Sequence, residues 1–87
     1  MNKRRSNIEI IAEMLKVGEN GAGKTELMYT VNMSYAQLQK YLKFLLGNGL
    51  IHKVEVGNPS VRYHVTEKGA ELLKSITTVM DILDIEL

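Results

Sequence analysis

The stretch Ser34-Tyr-Ala-Gln-Leu-Gln-Lys-Tyr-Leu-Lys-Phe-Leu-Leu-Gly-Asn-Gly-Leu50 has the features of a complete helix with its own start and stop signals. Ser34 and Gln37 have the spacing of a capping box, in which two side chains satisfy backbone N–H groups at a helix start. Gly47 and Gly49 supply the left-handed stop that commonly follows a helix. The pattern therefore predicts a helix from about residue 35 to about residue 47.

This predicted helix has one apolar stripe and one polar face. At 100° per residue, the stripe is formed by Leu38, Tyr41, Leu42, Leu45 and Leu46. The opposite side carries amides, cations and small residues without a carboxylate, namely Ala36, Gln37, Lys40, Lys43 and Gly47. Such a surface suits phosphates and base edges, although a solvated helix face has the same composition.

Length and composition limit what the rest of the chain can be. The 87 residues suffice for one domain, whose small core makes a partner subunit a reasonable expectation. Cysteine is absent from the sequence, which removes thiolate catalysis and Cys-based zinc sites. No apolar run is long enough for a membrane span and no signal peptide opens the chain, so we expect a soluble, cytoplasmic protein.

The charge is unevenly distributed along the chain. Residues 1–66 contain nine Lys or Arg against five Asp or Glu, whereas residues 67–87 contain two against five, although the net charge is only +1. The front of the chain is therefore basic and its tail acidic. The cations Lys3, Arg4 and Arg5 form either a frayed terminus or an arm that contacts phosphates.

A second capping box predicts the first helix. Ser6 and Glu9 repeat the spacing of Ser34 and Gln37, so a helix should begin at about residue 7 and end at Gly18. Its apolar residues are Ile8, Ile10, Ile11, Met14, Leu15 and Val17.

The segment Gly18-Glu-Asn-Gly-Ala-Gly-Lys-Thr25 matches the phosphate-binding pattern G-x-x-x-x-G-K-[ST]. That loop requires a buried strand before it, but the preceding residues have helical spacing, and the chain is too short for a parallel sheet with crossover helices. We therefore expect no nucleotide and interpret the segment as a connection between helices. Thr25 or a neighbour should cap a short helix that turns Leu27, Met28 and Val31 inward.

Asn32 and Met33 separate this short helix from the helix that Ser34 caps. Two helices joined by such a turn form a helix-turn-helix, with Asn32 in the left-handed conformation and Met33 filling the angle between the helices.

After Gly49 the apolar period changes from 3.6 to 2, which predicts a hairpin of Ile51–Val56 and Val61–Thr66. With Gly57 and Ser60 flanking its turn, the apolar face pairs Val54 with Tyr63, Val56 with Val61 and His52 with Val65. The charged face pairs Lys53 with His64 and Glu55 with Arg62. This register places the two histidines on opposite faces, so a two-histidine metal site is not expected.

The last segment returns to helical spacing, with Thr66 as its cap. Intervals of three and four give an apolar seam of Leu73, Ile76, Met80, Leu83 and Leu87, widened by Val79, Ile82 and Ile85. Leu72, Leu73 and Ile76 can fold back on the chain's own core, and the whole helix could do so. We favour pairing of residues 76–87 with a second subunit, because exposed apolar surface usually marks an interface.

The order of elements predicts an α+β winged helix-turn-helix fold with a three-helix core, a two-stranded wing and a C-terminal dimerisation helix. We divide it into a DNA-binding domain, residues 1–66, and a dimerisation element, residues 67–87. The segments from Met33 to Ile51 and from Tyr63 to Leu73 resemble small archaeal winged-helix DNA-binding proteins regarded as transcriptional regulators, a group that includes chromatin proteins dimerised by a coiled coil. The resemblance covers about residues 6–76, and its most specific parts are Met33-Ser-Tyr35 and Thr66-Glu-Lys-Gly69. The last helix is shorter here, and the wing tip Asn58-Pro59 lacks a cation.

The resemblance implies a dimeric, nucleoid-associated regulator that binds double-stranded DNA without catalysis or a cofactor, with the helix at 34–47 in the major groove. Among the implied contacts, Gln37 is the expected base reader, while Arg62 could be neutralised by Glu55. The implied DNA-binding residues are Lys24, Thr25, Ser34, Tyr35, Gln37, Gln39, Lys40, Lys43, Lys53, Arg62 and His64. The alternatives are a winged helix that binds a protein partner and a chromatin protein that binds DNA without sequence preference.

Overall fold

The computed structural model describes residues 6–57 and 60–83, and it has the predicted order of elements. Helices α1, α2 and α3 precede a hairpin of β1 and β2, and helix α4 follows; a single 3₁₀ turn at Gly18–Asn20 lies after α1. The bounds are Asn7–Val17 for α1, Lys24–Val31 for α2, Tyr35–Gly47 for α3, Ile51–Glu55 for β1, Val61–Val65 for β2 and Glu67–Leu83 for α4. The α+β winged helix-turn-helix prediction is confirmed. The cations at residues 3–5 and the last seam residue, Leu87, lie outside the described residues.

Both predicted capping boxes form. The N–H of Gln37 donates to Oγ of Ser34 at 3.1 Å, and the N–H of Ser34 donates to Oε1 of Gln37 at 3.1 Å. The Ser6 and Glu9 pair makes the same two bonds at the start of α1. These reciprocal bonds explain why both helices begin at the expected residues.

The predicted side-chain cap of α2 is wrong. Its N-cap is Gly23, which has no side chain to cap with, and Thr25 lies inside the helix. Ala22 is bridged to Tyr63 of the wing and the helix begins two residues later, at Lys24, so it starts before Thr25 can cap it. The turn to α3 agrees with the sequence: Asn32 is left-handed at φ 58°, and Met33 is buried.

An isolated β-bridge joins the segment before α2 to the wing, and the sequence pattern did not predict it. Ala22 forms an antiparallel bridge with Tyr63, with N···O distances of 3.0 and 2.7 Å. The motif glycines now have structural roles. Gly18 follows α1, Gly21 adopts φ +85° and Gly23 precedes α2. A helix, not a strand, leads into this segment, so it connects helices as predicted.

The hairpin register differs by one residue from the prediction. Ile51 pairs with Val65, His52 with His64, Lys53 with Tyr63, Val54 with Arg62 and Glu55 with Val61. The N–H of Val56 donates to the oxygen of Ser60 at 3.2 Å, so the loop spans three residues instead of two. This register turns both Ile51 and Tyr63 into the core, each 5% exposed, whereas the predicted register put Ile51 among the charged residues.

The start of α4 is fixed to the core. Oγ1 of Thr66 accepts from the N–H of Gly69 at 3.0 Å and donates to the oxygen of Gly49 at 2.6 Å, which confirms the predicted cap. A Cβ on Gly69 would come within 2.1 Å of the Leu50 oxygen, so this close approach requires glycine. Leu72 and Leu73 pack against the core.

One continuous core supports these elements. Its buried side chains are Ile10, Met14, Leu15, Ala22, Leu27, Val31, Met33, Leu38, Tyr41, Leu42, Leu45, Leu50, Ile51 and Tyr63. Among the described residues, no helix is long and apolar enough to cross a membrane.

Candidate nucleic-acid interface

The face of α3 that points away from the core is fully exposed. Its helical sequence contains no Asp or Glu. On a helical wheel Ala36, Lys40, Lys43 and Gly47 lie at the centre of this face, opposite the buried Leu45. Small residues there leave room for close approach, and two cations lie beside them. The exposed residues of the face are Tyr35, Ala36, Gln37, Gln39, Lys40, Lys43, Phe44 and Gly47.

The side-chain amides of the two glutamines of α3 differ in whether they are already hydrogen-bonded within the protein. Oε1 of Gln37 already accepts the N–H of Ser34, so a two-point contact between Gln37 and adenine competes with the helix cap. The side-chain amide of Gln39 makes no hydrogen bond to another described residue. The amide that is free for base contacts is therefore Gln39.

Lys40 of α3 lies beside aromatic side chains. Nζ of Lys40 lies 5.9 Å from the ring centroid of Tyr41, within range of a weak cation–π contact. Lys40, Tyr41 and Phe44 line a shallow apolar cleft together with Asn7 and Ile11 of α1. Phe44 is 48% exposed, and neither this side chain nor Tyr29, which is 74% exposed on α2, was among the predicted site residues.

The structure brings Lys24 and Lys53 together. Both line one cleft between the start of α2 and the wing, with Val61 and Tyr63 as its apolar wall. Thr25, the next predicted contact, is exposed in the first turn of α2. The two cations lie beside a helix N-terminus, an arrangement that suits phosphate, although Glu26 also lies in this first turn.

The predicted pairing of Arg62 with Glu55 is wrong, because the register places Val61 opposite Glu55. Instead, Nη2 of Arg62 donates to the oxygen of Gly21 at 2.6 Å and lies 3.5 Å from Oε1 of Glu26. The guanidinium thus ties the wing to the segment before α2.

His64 lies on the same outer face as Arg62 and opposite His52. The expectation that the two histidines lie on opposite faces is therefore wrong. Since side chains alternate along a strand, Lys53 lies on the other face of the hairpin. The predicted wing residues are thus divided, with Lys53 near Lys24 and with Arg62 and His64 turned away from both. The described residues contain no group of three or more His, Cys, Asp or Glu side chains placed to hold a metal ion.

Comparison with known proteins gives a consistent fold assignment. Residues 4–84 match the model of the winged helix-turn-helix family. The chain is 32% identical over 82 residues to an uncharacterized protein of Methanocaldococcus jannaschii, covering 93% of this chain and 79% of that protein. A second uncharacterized protein of the same organism is 33% identical over 81 residues, but the chain covers only 36% of its length.

Two solved structures are also similar to this chain. Sso10a-2, a DNA-binding protein from Sulfolobus solfataricus, has a TM-score of 0.81 and 28% identity, with coverage of 92% of this chain and 83% of the other. The transcriptional repressor CouR, bound to a 23-mer DNA duplex, has a TM-score of 0.71 and 18% identity, with coverage of 90% and 56%. The second likeness shows the fold alone.

Proposed function

The chain belongs to the winged helix-turn-helix family, and we propose that it binds double-stranded DNA with α3 in the major groove and acts as a small dimeric transcriptional regulator. The observation that carries the proposal is the exposed face of α3, which offers cations and amides without a carboxylate. The lysine cleft beside the wing extends the positive surface. The similarity to the DNA-binding protein Sso10a-2 supports the same function.

We divide the contacts by what each side chain can do. Gln39 reads base edges, with Ser34, Tyr35 and Gln37 entering the groove at the start of α3. Lys40, Lys43, Lys24, Thr25 and Lys53 contact phosphates, which fix the register of the protein on the duplex. Arg62 and His64 fall outside this set, because Arg62 is bound to Gly21 and both lie on the outer face of the wing.

Dimerisation rests on the far half of α4. Leu83 is 66% exposed and Met80 is 40% exposed, whereas Leu72 and Leu73 nearer the start of the helix pack against the core. A second copy of the chain would cover this apolar seam, which the sequence continues to Leu87. In this proposal residues 1–66 bind DNA and residues 67–87 join two copies. The first turns of α4 pack against the core of their own chain.

The proposal is tested by titrating labelled duplexes of random and selected sequence and following fluorescence anisotropy over a range of salt concentrations. Affinity that falls linearly in log–log form with salt measures the number of phosphates neutralised. A large preference for one selected sequence supports a regulator, and equal affinity for all sequences supports general chromatin-type binding.

A second candidate function is binding of a protein partner through the same surface. It is favoured by the exposed aromatic side chains Tyr29, Tyr35 and Phe44 and by a net charge of only +1. Failure to bind any duplex at low salt would leave this candidate as the better account.

A further inference from the structure

The two histidines of the chain face each other across the wing. His52 of β1 and His64 of β2 are direct partners in the antiparallel register. Their ring centroids lie 5.9 Å apart, with 48° between the ring planes. Both rings are on the face of the hairpin that points away from the core, where Val54 and Arg62 form the next pair.

We propose that His52 and His64 form a two-imidazole binding site for a transition-metal dication of the Zn²⁺ type. This site lies outside the DNA-contacting set and does not depend on DNA binding. Imidazole nitrogen is a preferred ligand of Zn²⁺, Ni²⁺ and Cu²⁺, whereas Mg²⁺ and Ca²⁺ prefer oxygen.

The distance between the rings fits one shared ion. A Zn–N bond of about 2.0–2.1 Å places the metal roughly 3 Å from each ring centroid, so two rings on one tetrahedral ion have centroids about 5 Å apart. The observed separation of 5.9 Å is wider than this. The two rings must therefore rotate toward each other to share an ion.

The backbone of Gly21 lies against one of the two rings. Gly21 lies so close to His64 that a Cβ on this glycine would come within 2.4 Å of Cε1 and 2.5 Å of Nε2. A ring that is already restricted loses less conformational freedom when it binds an ion. Neither imidazole has a hydrogen bond or an ion pair with another described residue, although Nε2 of His64 lies against Gly21.

The charges nearby permit a cation. Arg62 is the neighbour of His64 on this face, but its guanidinium is bound by the Gly21 oxygen and approached by Glu26. Lys53, between the two pairs in sequence, lies on the opposite face. Because two histidines leave the remaining coordination positions to water, the site is an exchangeable one that binds in the micromolar range or weaker, unlike a closed structural zinc site.

The test is a titration of the whole protein with ZnCl₂ in a non-chelating buffer, followed by calorimetry and by NMR of the imidazole protons. We expect one ion per chain, with the ring signals of both histidines shifting together. A titration at lower pH should show weaker binding, because a ligating imidazole must be unprotonated.

The matched variants separate a paired site from single histidines. His52→Gln and His64→Gln should each weaken zinc binding at least tenfold. The double variant His52→Gln with Lys53→His keeps two histidines but places them on opposite faces, so it should bind as weakly as His52→Gln. Circular dichroism verifies that each variant is folded.

Equal zinc affinity in the natural protein and in all three variants would overturn the proposal, as would the absence of binding at millimolar zinc. None of these outcomes depends on DNA, so failure here leaves the proposed DNA-binding function intact.

Discussion

Arg62 and Gly21 are joined by a hydrogen bond of 2.6 Å from Nη2 of the guanidinium to the backbone oxygen. The bond links β2 of the wing to the segment between α1 and α2, next to the two backbone bonds between Ala22 and Tyr63. A cation that the sequence suggested for DNA therefore has a structural role. Together with the backbone bonds of Ala22 and Tyr63, it connects the wing to the segment before α2.

Arg62→Met should destabilise the fold by about 1–3 kcal/mol, the range for a hydrogen bond made by a charged group. Glu26→Gln should cost less than about 1 kcal/mol, because the ion pair at 3.5 Å is exposed on both sides. Chemical denaturation of the two variants measures the difference. Equal losses in both would mean that the ion pair, and not the bond to Gly21, carries the effect.

Gly21→Ala should destabilise the protein by about 1 kcal/mol or more, because alanine is strained at φ +85° and its Cβ meets the ring of His64. Gly18→Ala is the matched control, since its nearest atoms lie 3.7 Å away and its φ is −79°. Adding His64→Ala to Gly21→Ala should recover the part of the loss that comes from the clash. Thermal melts of the natural protein and of the three variants check this. An unchanged melting temperature in Gly21→Ala would contradict the close contact.

The two glutamines of α3 should respond differently to removal. Gln37→Ala should lower the free energy of unfolding by several tenths of a kcal/mol to about 1 kcal/mol, because it breaks one half of the capping box. Gln39→Ala should leave stability almost unchanged but relax base preference at one position of the DNA site, at a cost of about 1–3 kcal/mol for the preferred base. Denaturation and binding to a randomised duplex library measure the two effects. If Gln37→Ala relaxes the base preference and Gln39→Ala does not, Gln37 is the base reader.

Leu83→Glu should convert the proposed dimer into a monomer, because it places a charge on the exposed apolar seam of α4. Thr78→Glu, on the opposite side of the helix, is the control and should leave the dimer intact. Sedimentation velocity over a range of concentrations distinguishes the two states. A natural protein that stays monomeric at all concentrations would contradict the dimerisation proposal.

Local signals in the sequence were enough for the helices and for the fold. The capping boxes at Ser6 and Ser34 and the turn at Asn32 depend on residues within a few positions of each other, so they could be located without a structure. The hairpin register could not, because one additional loop residue turns every side chain of β1 to the other face relative to β2. That register is stabilised by Tyr63, which pairs with Ala22 at a separation of 41 residues.

For the candidate site, the sequence predicted the exposed positions of α3 but not the arrangement of the wing residues. The exposed positions of α3 follow from its helical period, and the structure places them as expected. The wing residues depend on the register, so the prediction paired Arg62 with the wrong carboxylate and separated His52 from His64. The meeting of Lys24 with Lys53 is likewise a tertiary contact without a local signal.

The central claim is that the exposed face of α3 binds the phosphate backbone, and the salt dependence of Lys40→Ala tests it most directly. In anisotropy titrations with a random duplex, the slope of log affinity against log salt should fall by about 1 relative to the natural protein. Lys16→Ala, an exposed lysine of α1 on the groove toward α4, should leave the slope unchanged. The same slope for Lys40→Ala and the natural protein, or no DNA binding by the natural protein at low salt, would contradict the account.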